Sequence, residues 1–238
     1  MFILHSSNQT EQLAESLART LDRDGSSSLF EKEIFLIQSR GMERMLSQYL
    51  AEYFGVWCNA LYFLPVQFIE YVSKLVGLTA DDQIFHRDML TWQLEAILRD
   101  LDDSSLRPLS AYLSGKQSSL KRFQLARQLA NTFDQYQIMR MDLLDRWESG
   151  RLLTDDESEI WQKTLWAKLR VSLPGVFHRG EILSKLLVKL REIDRDQLML
   201  PRRIFVFGLH TMPPLFLSSL HMLSQKLDVH LFLLAPCE

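Results

Sequence analysis

Three short runs of this chain are apolar at almost every position: Ile34-Phe35-Leu36-Ile37, Arg203 to Phe207 (RIFVF) and Val229 to Leu234 (VHLFLL). A strand with one wet face alternates apolar and polar residues, so strands without alternation are covered on both sides. Amphipathic helix patterns lie between them. Asn8 is placed to cap a helix from about Gln9 to Leu21, with Leu13, Leu17 and Leu21 on one face. Met42 to Phe54 carries an apolar stripe at Met42, Met45, Leu46, Tyr49, Leu50 and Tyr53. Phe2-Ile3-Leu4 and the stretch Trp57 to Phe63 read as further strands. Pro65 opens one helix, and Pro213 and Pro214 open another that runs to about Gln225. Strands buried on both faces and alternating with helices predict an α/β fold on a parallel sheet.

From about Gly77 to Leu190 the strand pattern vanishes. Helix follows helix at roughly 86–100, 106–113, 118–139, 141–148, 157–171 and 180–192, some of them separated by DDSS, SGKQSS and LPGVFHRG. The simplest organisation is an α/β domain made of 1–76 and 193–238, with an all-helical domain inserted over 77–192. The sequence stops at HLFLLAPCE, immediately after an apolar strand-like run, so the chain reads as the front part of a longer protein.

Composition narrows the function. Of 238 residues, 47% are hydrophobic and 24% charged, with a net charge of −3 and a pI near 6.1. No global basic field points to nucleic acid, so any such contact must come from local patches. The two cysteines, Cys58 and Cys237, form no CxxC and predict free thiols in a reducing cytoplasm. Met1-Phe2-Ile3-Leu4 lacks the basic flank of a signal peptide, and no apolar run nears the roughly 18 residues of a membrane helix.

Catalytic motifs are missing where they would be expected. A phosphate-binding P-loop needs GxxxxGK[ST] after the first strand, but HSSNQTEQLAESL stands there. A Walker B strand ends in metal-holding acids. RIFVF ends in the neutral Gly208-Leu209-His210-Thr211. The six histidines show no HxxxH or HExxH spacing, and His230, inside an apolar strand, reads as a core histidine. TDDESE is a carboxylate run, but Thr154 and Glu157 also have the spacing of a capping box. Neither a Ser-His-Asp set nor a carboxylate–lysine nuclease centre is visible.

Three features suit nucleic acid. After Ile37 come Gln38, Ser39, Arg40 and, one helical turn later, Arg44; such groups meet phosphates or base edges. An ordinary solvated turn reads the same way. In the helix Ser118 to Met139, Leu120, Phe123, Ala126, Ala130 and Phe133 predict a buried face. Arg127, Asn131, Asp134 and Gln135 share the other side, and Arg140 follows. Asn, Asp and Gln are side chains that pair with bases, although a plain polar face looks alike. In FHRGEIL, His178 and Arg179 stand beside an aromatic residue at a helix start, an arrangement that suits a splayed single strand or a simple helix entry.

The segments FLIQSRGMERMLSQYLAEYFGVWCNALYFLPVQFI, FDQYQIMRMDLLDRWESG, FHRGEIL and RRIFVFGLHTMPPLFLSSLHMLSQKLDVHLFLLAPC together resemble the N-terminal part of the gamma-chain (RecC) family of exodeoxyribonuclease V, over essentially the whole chain. The resemblance implies a superfamily-1 helicase-like, P-loop NTPase-like fold that has lost its ATPase motifs. It implies a non-catalytic subunit of a bacterial helicase–nuclease acting in DNA repair and recombination. Its partners would be single-stranded and duplex-end DNA and the beta (RecB) and alpha (RecD) chains, with no membrane. No cofactor would be bound by this chain; ATP and Mg²⁺ would serve the partner subunits. The front half of such a chain guides the 3′-ended strand and reads the hotspot sequence Chi. The family's strand-reading positions match here at Gln38, Leu64, Asp134, Gln135, Arg140 and Arg179. Others depart: Arg40 replaces a small hydroxyl, Arg44 an amide, Asn131 an acid, and Glu70 an aromatic residue. Exchanging a stacking ring for a carboxylate alters any base-reading surface, whereas the arginines favour phosphate contact. An active motor, a DNA reader and a purely structural scaffold are the three classes to weigh. The missing ATPase motifs argue against the first, and the residues alone do not separate the other two.

Overall fold

A computed structural model describes residues 1–24, 32–78, 85–101, 104–115, 117–154 and 156–236. Most of the loop read at Arg23 to Ser28 lies outside them, as do Cys237 and parts of the DDSS, SGKQSS and TDDESE segments. The chain divides into two compact units, one of Met1–Thr79 with Leu183–Glu238 and one of Ala80–Ile182.

The first unit is α/β. Five strands, β1 (Phe2–Ser7), β2 (Glu33–Ile37), β3 (Ala60–Phe63), β4 (Arg203–Phe207) and β5 (Asp228–Leu234), form a parallel sheet in the order β1-β5-β4-β2-β3. Alternate residues of the apolar strands face opposite layers. Phe35, Ile37, Phe205, Phe207 and Phe232 pack under α1 (Thr10–Asp24) and α2 (Arg40–Phe54). Ile34, Leu36, Ile204, Val206, Val229 and Leu231 pack with helices α3 (Pro65–Leu75) and α10 (Pro214–Ser224) and with Leu183, Leu186 and Leu190 of α9 (Arg179–Glu192). Both faces are thus covered, the condition that non-alternating strands impose. Arg203 is buried in β4 and pairs with Glu33 at 2.5 Å. His230 is buried as a core histidine, its Nδ1 3.2 Å from Nε2 of His5.

Two details differ from the sequence reading. The strand expected from Trp57 is shorter and begins at Ala60, because Asn59 takes a left-handed backbone (φ 58°) and its carbonyl accepts from Glu33 N at 2.9 Å. The helical unit ends at Ile182, inside α9, because the apolar residues beyond that point belong to the α/β core.

The second unit is helical throughout its described residues. It holds α4 (Arg87–Ile97), α5 (Arg107–Leu113), α6 (Ser118–Met139), α7 (Met141–Glu148), α8 (Glu157–Ser172) and the first turn of α9. Its core joins Phe85, Leu94, Leu129, Phe133, Trp147, Trp166 and Leu169. The expected buried face of α6 is corrected at its start. Leu120 is 51% exposed, and the packed stripe is Ala126, Leu129, Ala130, Phe133 and Gln137, in helical register with one another. The expected capping box at Thr154 and Glu157 does not form. Asp156 caps α8 by accepting from Ser158 N at 2.7 Å, while Thr154 turns its N–H and hydroxyl to Glu159, each at 2.7 Å.

Candidate nucleic-acid interface

In an open parallel sheet, binding sites form beyond the carboxyl ends of strands where the winding direction reverses. Here β2 leads through α2 outward to β3, while β4 leads through α10 to β5 on the other side. The reversal therefore lies between β2 and β4, paired with Ile37 opposite Phe207. The turn Gln38-Ser39 leaves β2 at this point. Leu64 leaves the adjacent β3 at the same sheet edge, where Phe63 pairs with Leu36. Gly208 leaves β4 with φ +68°, and a Cβ there would stand 3.1 Å from Met42 Cε in the first turn of α2. A side chain at 208 would be strained by its backbone conformation, and the Met42 methyl would have to shift by a few tenths of an ångström.

The β2–α2 turn differs in chemistry from a phosphate cradle. Ser39 is the N-cap of α2, and its Oγ accepts from Met42 N at 3.3 Å. The helix start thus satisfies one of its own donors with its own hydroxyl. Gln38, Ser39, Arg40 and Arg44 are all exposed. Arg40 pairs with Glu43 at 2.6 Å, whereas Arg44 makes no ion pair among the described residues. An exposed i,i+3 pair contributes a few tenths of a kcal/mol, roughly 0.2–0.5, so Arg40 is readily released to another anion. Leu64 is half-buried ahead of α3, with its N–H donating to Gln67 Oε1 at 3.2 Å, and Glu70 on α3 is also half-buried.

The other five expected residues belong to the helical unit. Asn131, Asp134 and Gln135 lie within about one turn of α6, with Asn131 and Gln135 exposed. Arg179, at the start of α9, donates to Asp134 Oδ1 at 2.8 Å. Two residues 45 apart in the chain, singled out separately, thus meet directly. Arg140, at the α6–α7 junction, instead turns to Asp142 at 3.1 and 3.3 Å. That hydrogen bond, partly offset by burial, holds the Asp142 carboxyl below its ordinary range.

Sequence reasoning missed the residue that sets Arg179. Gln137 is fully buried; it donates from Nε2 to the carbonyls of Phe85 and Phe133 at 3.3 Å each, and its Oε1 accepts from Arg179 N at 3.2 Å. An amide one turn after Phe133 on an apolar stripe was the available signal. Gly180 is the second omission. A Cβ there would fall 2.6 Å from the Gln137 carbonyl oxygen and 1.6 Å from Met141 Sδ, so α9 starts against α6 and α7 only because the residue is glycine.

Metal-like spacing occurs among Glu148, His178 and Glu181, whose ligand atoms lie within 4.8 Å of one another. Arg170 already supplies the cation, at 3.1 Å from Glu148 and 3.0 Å from Glu181. His178 Nδ1 accepts from Glu181 N at 3.4 Å, which assigns the ring proton to Nε2, 3.7 Å from each carboxylate. Burial, helped by Arg170, lowers the His178 pKa to about 3 and keeps the ring neutral. The group is built as a structural network around a guanidinium.

Residues 2–238 match the family model described as RecC, N-terminal domain. The chain is 29% identical to the RecBCD enzyme subunit RecC of Escherichia coli K12, covering 100% of this chain and 22% of that protein. For the protein of the same name from Haemophilus influenzae Rd the values are 29%, 100% and 24%. For that of Mycolicibacterium smegmatis they are 33%, 99% and 21%. The chain spans less than a quarter of the length of these curated relatives.

Proposed function

Because the chain belongs to the RecC N-terminal domain family, we propose that it is a non-catalytic, helicase-like, DNA-binding part of exodeoxyribonuclease V, a helicase–nuclease of double-strand break repair and homologous recombination. Its partners in this reading are the RecB and RecD chains and the DNA end, in the cytoplasm, and ATP and Mg²⁺ serve those other subunits. It guides the 3′-ended single strand and scans it for a Chi-like sequence.

The observation that supports this best is the β2–α2 turn. It stands at the reversal point of the sheet, caps its own helix, and presents Gln38, Arg40 and Arg44 outward. Arginines at this point attract backbone phosphates, and the Gln38 amide donates to phosphate or base. In the helical unit, Asn131 and Gln135 offer both donors and acceptors to base edges, and Arg179 keeps guanidinium donors beyond the one held by Asp134. A scaffold role in the same complex has its own support, since Arg40, Arg140 and Arg179 each already hold an internal carboxylate.

Single-strand binding by the full-length chain across a salt series separates the two. The expected result for Arg40→Glu with Arg44→Glu is weaker binding and a log–log salt slope shallower by about 1.4, for two lost phosphate contacts. Unchanged binding and slope would leave the scaffold.

A further inference from the structure

Helices α4 and α6 enclose a groove of about 610 Å³ that none of the expected strand-reading positions accounts for, save Asn131 at its end. Trp92 on α4 is 61% exposed, an unusual state for so large an apolar ring. Its neighbour across the groove is Phe123 of α6, with ring centroids 5.5 Å apart and tilted by 47°. Two guanidiniums flank the rings. Arg87 lies five residues before Trp92, lines the same groove, and is only loosely paired with Asp88, at 3.7 Å. Arg127 lies one turn after Phe123 and forms no ion pair among the described residues.

From the juxtaposition of an exposed tryptophan, a second ring and two flanking arginines, we infer that this groove is a base-stacking site for single-stranded DNA, one base lying on Trp92 and the adjoining phosphates meeting Arg87 and Arg127. The inference rests on the DNA-guiding reading above and extends it to a binding site of its own. The face of α6 gives the direction of the strand. Phe123, Arg127 and Asn131 succeed one another at four-residue steps, and Asp134 and Gln135 follow at the next turn. These residues span about 18 Å of helix at 1.5 Å per residue. A strand anchored by stacking at Trp92 would therefore run toward the amide and carboxylate side chains suited to reading bases. A ring stacks any base, so this end holds without selecting, and selection falls to the other end. The flanking cations favour a polyanion over an apolar protein segment as the occupant.

The test titrates the full-length chain with a fluorescein-labelled oligothymidylate and maps cross-links from an oligonucleotide carrying 5-iodo-deoxyuridine. Trp92→Ala is expected to weaken binding about tenfold, Trp92→Phe to stay near wild type because a ring remains, and the wild-type adduct to fall on Trp92. Circular dichroism checks that each variant is folded, as the exposure of Trp92 leads one to expect. If Trp92→Ala binds as wild type and no adduct maps to α4 or α6, the inference is overturned. Should Arg40→Glu/Arg44→Glu still weaken binding in that case, the DNA-guiding reading survives without it. If the wild-type chain binds no oligonucleotide, both fall. If Trp92→Ala instead leaves DNA binding intact but blocks assembly with other subunits, the groove is a protein interface and the inference is again overturned.

Discussion

The α/β unit and the helical unit bury polar groups of different kinds. In the α/β unit the buried polar side chains are mostly hydroxyls, Thr20, Ser73, Ser219 and Ser224, beside His230 and the Arg203 that pairs with Glu33 at the amino ends of β4 and β2. In the helical unit larger amide and carboxylate side chains enter the core. Glu159 accepts from Trp147 Nε1, Leu153 N and both donors of Thr154, Gln137 bridges three segments, and His178 and Arg170 sit between Glu148 and Glu181. A parallel sheet fixes its register through its own ladder, so its buried polar groups need not set the register. Packed helices share no ladder, and geometrically defined polar contacts settle which turn meets which. The start of α9 and its Arg179 are positioned by this network, whereas the β2–α2 turn is positioned by the sheet.

The largest expected effect tests that contrast directly. Glu159→Ala leaves its donors without an acceptor, each fully buried one at a cost of about 1–3 kcal/mol. Hydrogen exchange should show lost protection within Ala80–Ile182 and little change in the α/β unit; a uniform loss would break the comparison. Gly180→Ala follows. Its Cβ meets a backbone carbonyl that cannot swing away, and overpacking of this kind costs up to about 3 kcal/mol. Urea unfolding with a probe in each unit reads it, and an undisturbed helical transition would contradict the packing described.

Acid supplies the third contrast. The pKa of His178 is about 3 when folded, against 6.5 as the ordinary value, so the unfolded chain binds a proton the folded one refuses. Stability from this group is complete above pH 6.5 and is lost as pH falls toward 3. Between pH 7 and 5 the helical unit should lose about 2 kcal/mol. Burial alone would raise the Glu159 pKa, but its hydrogen bonds hold it at about 2, so its contribution falls away in the same sense between 4.5 and 2. His5 in the α/β unit shifts in the same direction but is only half-buried, so its share is smaller. Equal pH dependence of both units would contradict the account. The smallest effect is that of Ser39→Ala, expected to cost about 1 kcal/mol by uncapping α2. Faster exchange confined to the first turn of α2 would be its signature.

The same contrast explains what was legible in the sequence. EIFLI and RIFVF announce a sheet covered on both faces because their apolar residues leave no wet side, and their bounds agree with β2 and β4. The helices Ser118–Met139 and Met141–Glu148 were equally plain from period. The polar core was not. Glu159 looks like a surface residue, and the burial of Gln137, hinted at only by its place on the apolar stripe, rests on contacts with Arg179 and Phe85, 42 and 52 residues away along the chain. Leu120 looked buried and is exposed for the converse reason, since apolarity alone does not fix which part of a helix finds a partner. Of the expected site, the polar turn after β2 was readable locally, while the pairing of Asp134 with Arg179 needed the fold.

The central claim is that these polar groups guide and read a DNA strand. Its most direct test uses the full-length chain assembled with its partner subunits on long linear DNA, mapping where degradation changes in wild type and in Asp134→Ala/Arg179→Ala. The account predicts discrete wild-type fragments ending at one short sequence, and degradation straight through it in the variant. The same pattern from both, with unwinding intact, would contradict sequence reading by these residues.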